Sequence, residues 1–207
     1  MKSIRFDRRG FLSQAARLAA GGAALPLVGM KAAQASSAMQ ASSLMKAPAS
    51  SLVGVPGGQV LAFNHTHTRE RIELVYAVNG DYVPDALTTL NRFLRDHYSG
   101  TVGQMDPQLF DLLHRVRLAL GDKSLSAYEV ISGYRCPETN DHLRNSRGGG
   151  VAKRSLHMEG KAIDIRIPGV PLAELRDAAL SLQAGGVGFY PREQFVHIDT
   201  GRVRTWG

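Results

Sequence analysis

Two short runs near the carboxyl end constrain the fold more than anything else in the 207-residue chain. Ala162-Ile163-Asp164-Ile165-Arg166 and Phe195-Val196-His197-Ile198-Asp199 each alternate polar with apolar residues. A period of two is the signature of a half-buried strand. Asp164 therefore points away from Ile163 and Ile165, and His197 away from Val196 and Ile198. Two such strands in one sheet would send their isoleucines and valines into a core and bring Asp164 and His197 together across the sheet or at its edge. His157 precedes Asp164 by seven residues, with a turn expected at Gly160. Two imidazoles, one carboxylate and an open position are a usual composition for a catalytic zinc site, and cobalt suits the same donors. The spacing alone leaves the blander alternative open, because a single histidine is more often structural and Asp164 could face solvent.

The remaining patterns place these strands in a mixed architecture. Val60–Phe63 and Ile72–Tyr76 read as a hairpin, Tyr128–Ser132 as a strand, and Gly186–Tyr190 as a partner to Phe195–Asp199 across a turn at Pro191. Helical spacing of leucines runs from Asp85 to His97, from Gln108 to Leu120 and from Pro171 to Gln183, with a shorter helix at Pro137–Arg144. Asp106-Pro107 supplies a cap and a first-turn proline for the second of these. Strands and helices mix without regular βαβ alternation. The expected fold class is α+β: one compact domain over 58–207, with a central, mostly antiparallel sheet, flanking helices and the metal site at the sheet edge.

The amino end reads as an address. Lys2, Arg5, Arg8 and Arg9 precede an apolar stretch, Leu12 to Met30, and Ala33-Gln34-Ala35 offers a cleavage site. Arg8-Arg9-Gly10-Phe11-Leu12 has the look of a twin-arginine export signal. Residues 1–35 are thus expected to be a signal peptide and 36–57, rich in Ser, Ala, Gly and Pro, a flexible linker. Arg17 interrupts the apolar stretch, which argues against a stable membrane span. Residues 1–35 also carry six Lys/Arg and one Asp, so they account for +5 of the net +7. The rest of the chain is close to neutral, which removes the electrostatic case for nucleic-acid binding. Arg144, Arg147, Lys153 and Arg154 make a local basic cluster that reads first as a solvated loop, with contact to an anionic wall polymer as the second reading. The single cysteine, Cys136, excludes an internal disulfide.

Several motifs in order carry a family resemblance. Ser132-Gly133-Tyr134-Arg135, Ser155-x-His157-x2-Gly160-x-Ala162-x-Asp164, Gly185-Gly186-Val187-Gly188-Phe189-Tyr190-Pro191, Val196-His197-Ile198-Asp199 and the ending Asp199 to Trp206 resemble the zinc D-alanyl-D-alanine carboxypeptidase family. That family belongs with the peptidoglycan metallopeptidases that include lysostaphin. The murein endopeptidase branch is the better match, from about Val60 onward. The resemblance implies one zinc ion per chain on His157, Asp164 and His197, and a peptidoglycan stem peptide as substrate. It also implies that Arg135 lies by the metal and holds the substrate carbonyl, where a fixed guanidinium would stabilise a developing oxyanion. One position departs from the pattern. Relatives carry Asp or Glu three residues before the last ligand histidine, and here Gln194 stands there, which cannot accept a proton. Asp199 is the first alternative general base, or an orienting partner of His197 on the same strand face, and Glu193 the second.

Other residues are assigned by exclusion. His65 and His67 lack a carboxylate partner and are expected to be strand or groove residues beside a substrate cleft. His97, His114 and His142 read as structural or surface residues, Ser132 and Tyr134 as packing and orienting residues, Glu159 as solvent-exposed and Trp206 as an anchor for the carboxyl terminus. The functional expectation is an exported, periplasmic, monomeric zinc endopeptidase acting on peptidoglycan cross-links. A D,D- or L,D-carboxypeptidase is the alternative within the enzyme class. A wall-binding protein with a structural zinc is the alternative outside it, and Cys136 is the only soft residue that could close such a site.

Overall fold

The computed structural model describes residues 54–121, 126–146 and 151–207. The signal-peptide segment and all but the last four residues of the expected linker lie outside that range. The described chain runs β1 (Gly58–His65), β2 (Arg71–Val78), β3 (Asp81–Tyr82), α1 (Pro84–Phe93), α2 (Pro107–Leu120), β4 (Tyr128–Ser132), α3 (Pro137–Ser146), a 3-10 turn (Leu156–Glu159), β5 (Ala162–Arg166), α4 (Leu172–Ser181), β6 (Gly186–Tyr190), β7 (Phe195–Asp199) and β8 (Arg204–Trp206). All eight strands join one sheet in the order β3-β2-β1-β4-β5-β7-β6-β8. Five neighbouring pairs are antiparallel. Two, β1–β4 and β6–β8, are parallel. The α+β expectation holds.

The alternation in β5 and β7 does the work assigned to it. Ile163, Ile165, Val196 and Ile198 are fully buried in the core with Leu109, Leu113 and Leu175 of the helices. Each such side chain stabilises the fold by roughly 1.5–3 kcal/mol relative to exposure. The register pairs Asp164 with His197 directly and sets Ser132 of β4 on the other flank of Asp164. Expectation and structure part on one point. β5 and β7 are the fifth and sixth strands of eight, so their polar residues meet on a face in the sheet's interior, not at its edge.

Helix α2 begins as the sequence suggests. Pro107 is its first residue and the Asp106 side chain accepts a hydrogen bond from Gln108 N at 3.0 Å. Helix α1 stops earlier than its leucine spacing implies, at Phe93 instead of His97. Asp96 explains the early end. Its carboxylate accepts from the backbone N–H groups of Tyr98 (2.9 Å) and Ser99 (3.3 Å), and from Cys136 N at 2.9 Å. A short acidic side chain that satisfies nearby amides folds the backbone into a turn and competes with the helix. The consequence is functional: His97 and Tyr98 leave the helix and reach the cleft described below.

Candidate active site

Three elements deliver three donors to one point. Ser155 caps the 3-10 turn that carries His157, and Gly160 closes it in the left-handed conformation at φ 67°. A Cβ at Gly160 would run into the Gln104 carbonyl, so the turn needs glycine there. Strand β5 supplies Asp164 and β7 supplies His197. The three ligand atoms lie within 4.8 Å of one another. His157 Nε2 is 3.2 Å from His197 Nδ1 and 3.3 Å from Asp164 Oδ1, and His197 Nδ1 is 2.8 Å from the same carboxylate oxygen. Among the described residues no fourth His, Cys, Asp or Glu joins the group.

Each imidazole is held from behind. His157 Nδ1 donates to the Gly133 carbonyl at 2.7 Å, which leaves Nε2 free of its proton and aimed at the cluster. His197 is oriented the other way round. Its Nε2 meets Asp199 Oδ2 at 3.1 Å and its Nδ1 faces the cluster. Asp199 is fully buried and lies on the far side of the His197 ring from Asp164. Arg204 grips it with two nitrogens at 3.0 and 2.7 Å, and Gly186 N and Gly201 N donate to it at 3.0 and 2.8 Å. A histidine held through its second nitrogen by a carboxylate is the usual support for a metal ligand.

The electrostatics fit a cation at this point. Burial alone would raise the Asp164 carboxyl, but the charge and hydrogen bond of His157, then those of His197, hold it far below the usual range. Burial also works against a charged His197, yet the hydrogen bonds it donates to the Asp164 and Asp199 carboxylates raise it to about 9. His157 is lowered, chiefly by burial. Asp199 ends well below its ordinary value because His197 and Arg204 outweigh its desolvation.

Arg135 sits beside this group. Its Nη2 is 3.7 Å from Asp164 Oδ2, and its backbone N–H donates to the His157 carbonyl at 3.2 Å. Asn140 Oδ1 and Ser132 Oγ receive its guanidinium, both at 3.4 Å. Ser132 therefore orients Arg135, in keeping with the role read for it. Cys136 points elsewhere: its thiol bonds Thr139 Oγ1 at 3.3 Å and approaches Ser99 Oγ at 3.5 Å.

The donors open into a cleft of about 540 Å³. His67, His97 and Tyr98 line it together with Arg135, Arg154, Glu193 and an aromatic group of Tyr190, Phe195 and Trp206. His67 reaches the groove as expected, whereas His65 is buried behind it and stacks edge-on against Phe93. His97 does more than fill structure; its ring stacks on His67 at 4.1 Å in the cleft wall. Glu159 is exposed and pairs with Lys161 at 2.8 Å. Gln194 adopts φ 60° in the β6–β7 turn, and its side-chain amide donates to the Pro191 carbonyl instead of lining the cleft. Trp206 donates to Tyr190 OH at 2.8 Å, so it ties down the carboxyl end and builds the cleft at once.

Arg204 is a site residue that the strand patterns missed. The glycines of Gly185–Gly188 were its available signal. A Cβ at Gly186 would strike Asp199 and Arg204, and one at Gly188 would strike the Trp206 indole. The run is small because three working side chains lie over it.

Comparison with known proteins decides the family. A model described as "Peptidoglycan L,D-endopeptidase MepK", of the Peptidase_M15_2 family, matches residues 55–206. The chain belongs to this family. Peptidoglycan L,D-endopeptidase MepK of Escherichia coli K12 is 42% identical over 163 residues, which cover 79% of this chain and 88% of that protein. The probable peptidoglycan L,D-endopeptidase MepK of Haemophilus influenzae is 41% identical over 155 residues, covering 75% and 82%. The MepK family match thus spans every described strand and helix, with the His/Asp group, Arg135 and Asp199 inside it. No helix among the described residues is long and apolar enough to cross a membrane.

Proposed function

We propose that this chain is a zinc-dependent peptidoglycan endopeptidase, acting outside the cytoplasm on cross-links between stem peptides. The observation that carries the reading is the convergence of His157, Asp164 and His197 at the floor of a cleft flanked by Arg135. Donor separations of 2.8, 3.2 and 3.3 Å are close to the ~3.3 Å spacing of ligands around tetrahedral zinc with bonds of about 2.0–2.1 Å. A structural zinc is normally closed by a fourth protein ligand. Cys136, the one soft residue available, is engaged elsewhere, which favours a catalytic site over a wall-binding scaffold. Zinc, when bound, supplies Lewis-acid polarisation of an amide carbonyl and makes water a competent nucleophile near neutral pH.

The chain's own residues do the rest. Gly133 and Asp199 fix the two imidazoles so that His157 Nε2 and His197 Nδ1 face one point. Arg135, anchored by Asn140 and Ser132, stands where it can receive charge that develops on the carbonyl oxygen. Asp199 is a positioning residue, since its carboxylate is spent behind the ring. Among the described residues, Asp164 and Glu193 are the carboxylates that line the cleft. Asp164 belongs to the metal group, so Glu193 is assigned as proton acceptor for the attacking water. Endopeptidase action is favoured over carboxypeptidase action because the relatives at 42% and 41% identity carry the name peptidoglycan L,D-endopeptidase. The export segment read in residues 1–35 supports a periplasmic location, beside the polymer substrate.

Metal analysis tests the reading. The wild type is expected to hold one zinc per chain, and His157→Ala, Asp164→Ala and His197→Ala to hold less than a tenth of that while remaining folded. Full zinc occupancy in any two of these variants would overturn the assigned ligand set.

A further inference from the structure

The cleft contains a cation that the chemistry above does not use. Of the guanidinium groups lining it, Arg135 lies against Asp164 and Arg204 grips Asp199. Arg154 is exposed, lines the same cleft, and makes no ion pair with a described residue. Lys153, its neighbour in the sequence, does not line the cleft. The basic cluster at 144–154 is therefore not uniformly a solvated loop, because one of its members faces the site.

The backbone that carries Arg154 is fixed on both sides. The fully buried Asn140 donates from Nδ2 to the Ala152 carbonyl at 3.1 Å, and its other side-chain atom holds Arg135. Ser155, the next residue, is buried and caps the turn that carries His157. Arg154 is thus three residues from a metal-group histidine, so their Cα atoms are within about 10 Å. The same asparagine couples its loop to Arg135. A guanidinium carried on a backbone anchored beside the site is suited to a planar anion, since its fork matches a carboxylate with two parallel hydrogen bonds.

We propose that Arg154 is a specificity residue that binds a free carboxylate on the substrate residue flanking the scissile amide. The ligand class is an anionic stem peptide, and a peptide whose flanking carboxyl is amidated is its poor analogue. This rests on reading the cleft as a peptidase site, but the subsite itself can be tested without turnover. Trp206, the only tryptophan of the chain, lines the same cleft and reports binding by its fluorescence.

The test uses the full chain and two synthetic cross-linked stem peptides that differ only in that flanking group, carboxylate or carboxamide. Binding to metal-free protein is followed by Trp206 fluorescence, and cleavage by the zinc-loaded protein by chromatography. Loss of a charge-assisted pair predicts that Arg154→Gln weakens binding of the carboxylate peptide about 10- to 100-fold and leaves the carboxamide peptide within about twofold. Arg154→Lys should restore part of the difference, and kcat/KM should follow the same ratios. An equal loss for both peptides, or no loss for either, would overturn the proposal. If the wild type bound the carboxylate peptide selectively but cleaved neither, the subsite would stand and the peptidase reading would fall.

Discussion

Replacing Asp199 by Asn separates two roles that one carboxylate could play. In the structure Asp199 is wholly buried, bonded to His197 Nε2 at 3.1 Å and held by both Arg204 nitrogens. Asn keeps the shape and loses the charge. Removing such a support behind a histidine ligand typically weakens metal binding about 10- to 100-fold, or about 1.4–2.7 kcal/mol. Arg204 would also lose its carboxylate partner. Breaking a buried pair from one side costs about 3–5 kcal/mol, and the lower end applies because Arg204 is partly exposed. The double variant Asp199→Asn/Arg204→Gln should therefore be less unstable than the sum of the singles. Competition against a chromophoric chelator gives zinc affinity, denaturant unfolding gives stability, and peptide cleavage at saturating zinc gives kcat. Asp199→Asn is expected to lower affinity about 10- to 100-fold and to recover most of its kcat once zinc is saturating. Unchanged zinc affinity with kcat down more than 100-fold would refute the positioning role and make Asp199 the proton acceptor.

Arg135→Gln should retain zinc and lose about 10²–10³ in kcat, because the donor it removes acts on charge that develops only during reaction; metal content and kcat measured together check this. Glu193→Gln should lower kcat about 10²–10⁴ with little change in zinc affinity, and an unchanged kcat would remove it from the mechanism. Stability should fall in acid through His65, which burial, then His97 and His67, lower to about 4. A depressed histidine favours the fold fully above its unfolded value near 6.5, and the contribution disappears as pH falls toward 4. The loss is at most about 3 kcal/mol. Urea midpoints between pH 7.5 and 4.5 should show it in the wild type and show less of it in His65→Leu.

Legibility followed the periodicity. Asp164 and His197 were readable because each stands alone between two β-branched or apolar neighbours, and the register pairs them as that spacing demands. Residues held by tertiary contacts were not. The three-residue β8 has no alternation long enough to announce a strand, so Arg204 behind Asp199 was hidden. His97 followed a helical leucine stripe, and only the amide-capturing geometry of Asp96 shows why the helix ends first. The site's position within the sheet was unreadable for a related reason. Neighbours in a sheet are set by crossovers, and β4 joins β1 in parallel only after two intervening helices. Arg154 reads as one cation among several, because the loop that carries it to the cleft is held at Ala152 by Asn140 of α3, a tertiary contact.

The central claim is a metal-dependent peptidoglycan hydrolase built on His157, Asp164 and His197. Its most direct test is incubation of the purified protein with intact peptidoglycan sacculi, with zinc, with chelator, and with His157→Ala, followed by separation of the muropeptides. The account expects cross-linked dimers to fall and monomers to rise only with zinc and an intact His157. Dimers that persist in the presence of zinc-loaded wild type, or that disappear equally with His157→Ala, would contradict it.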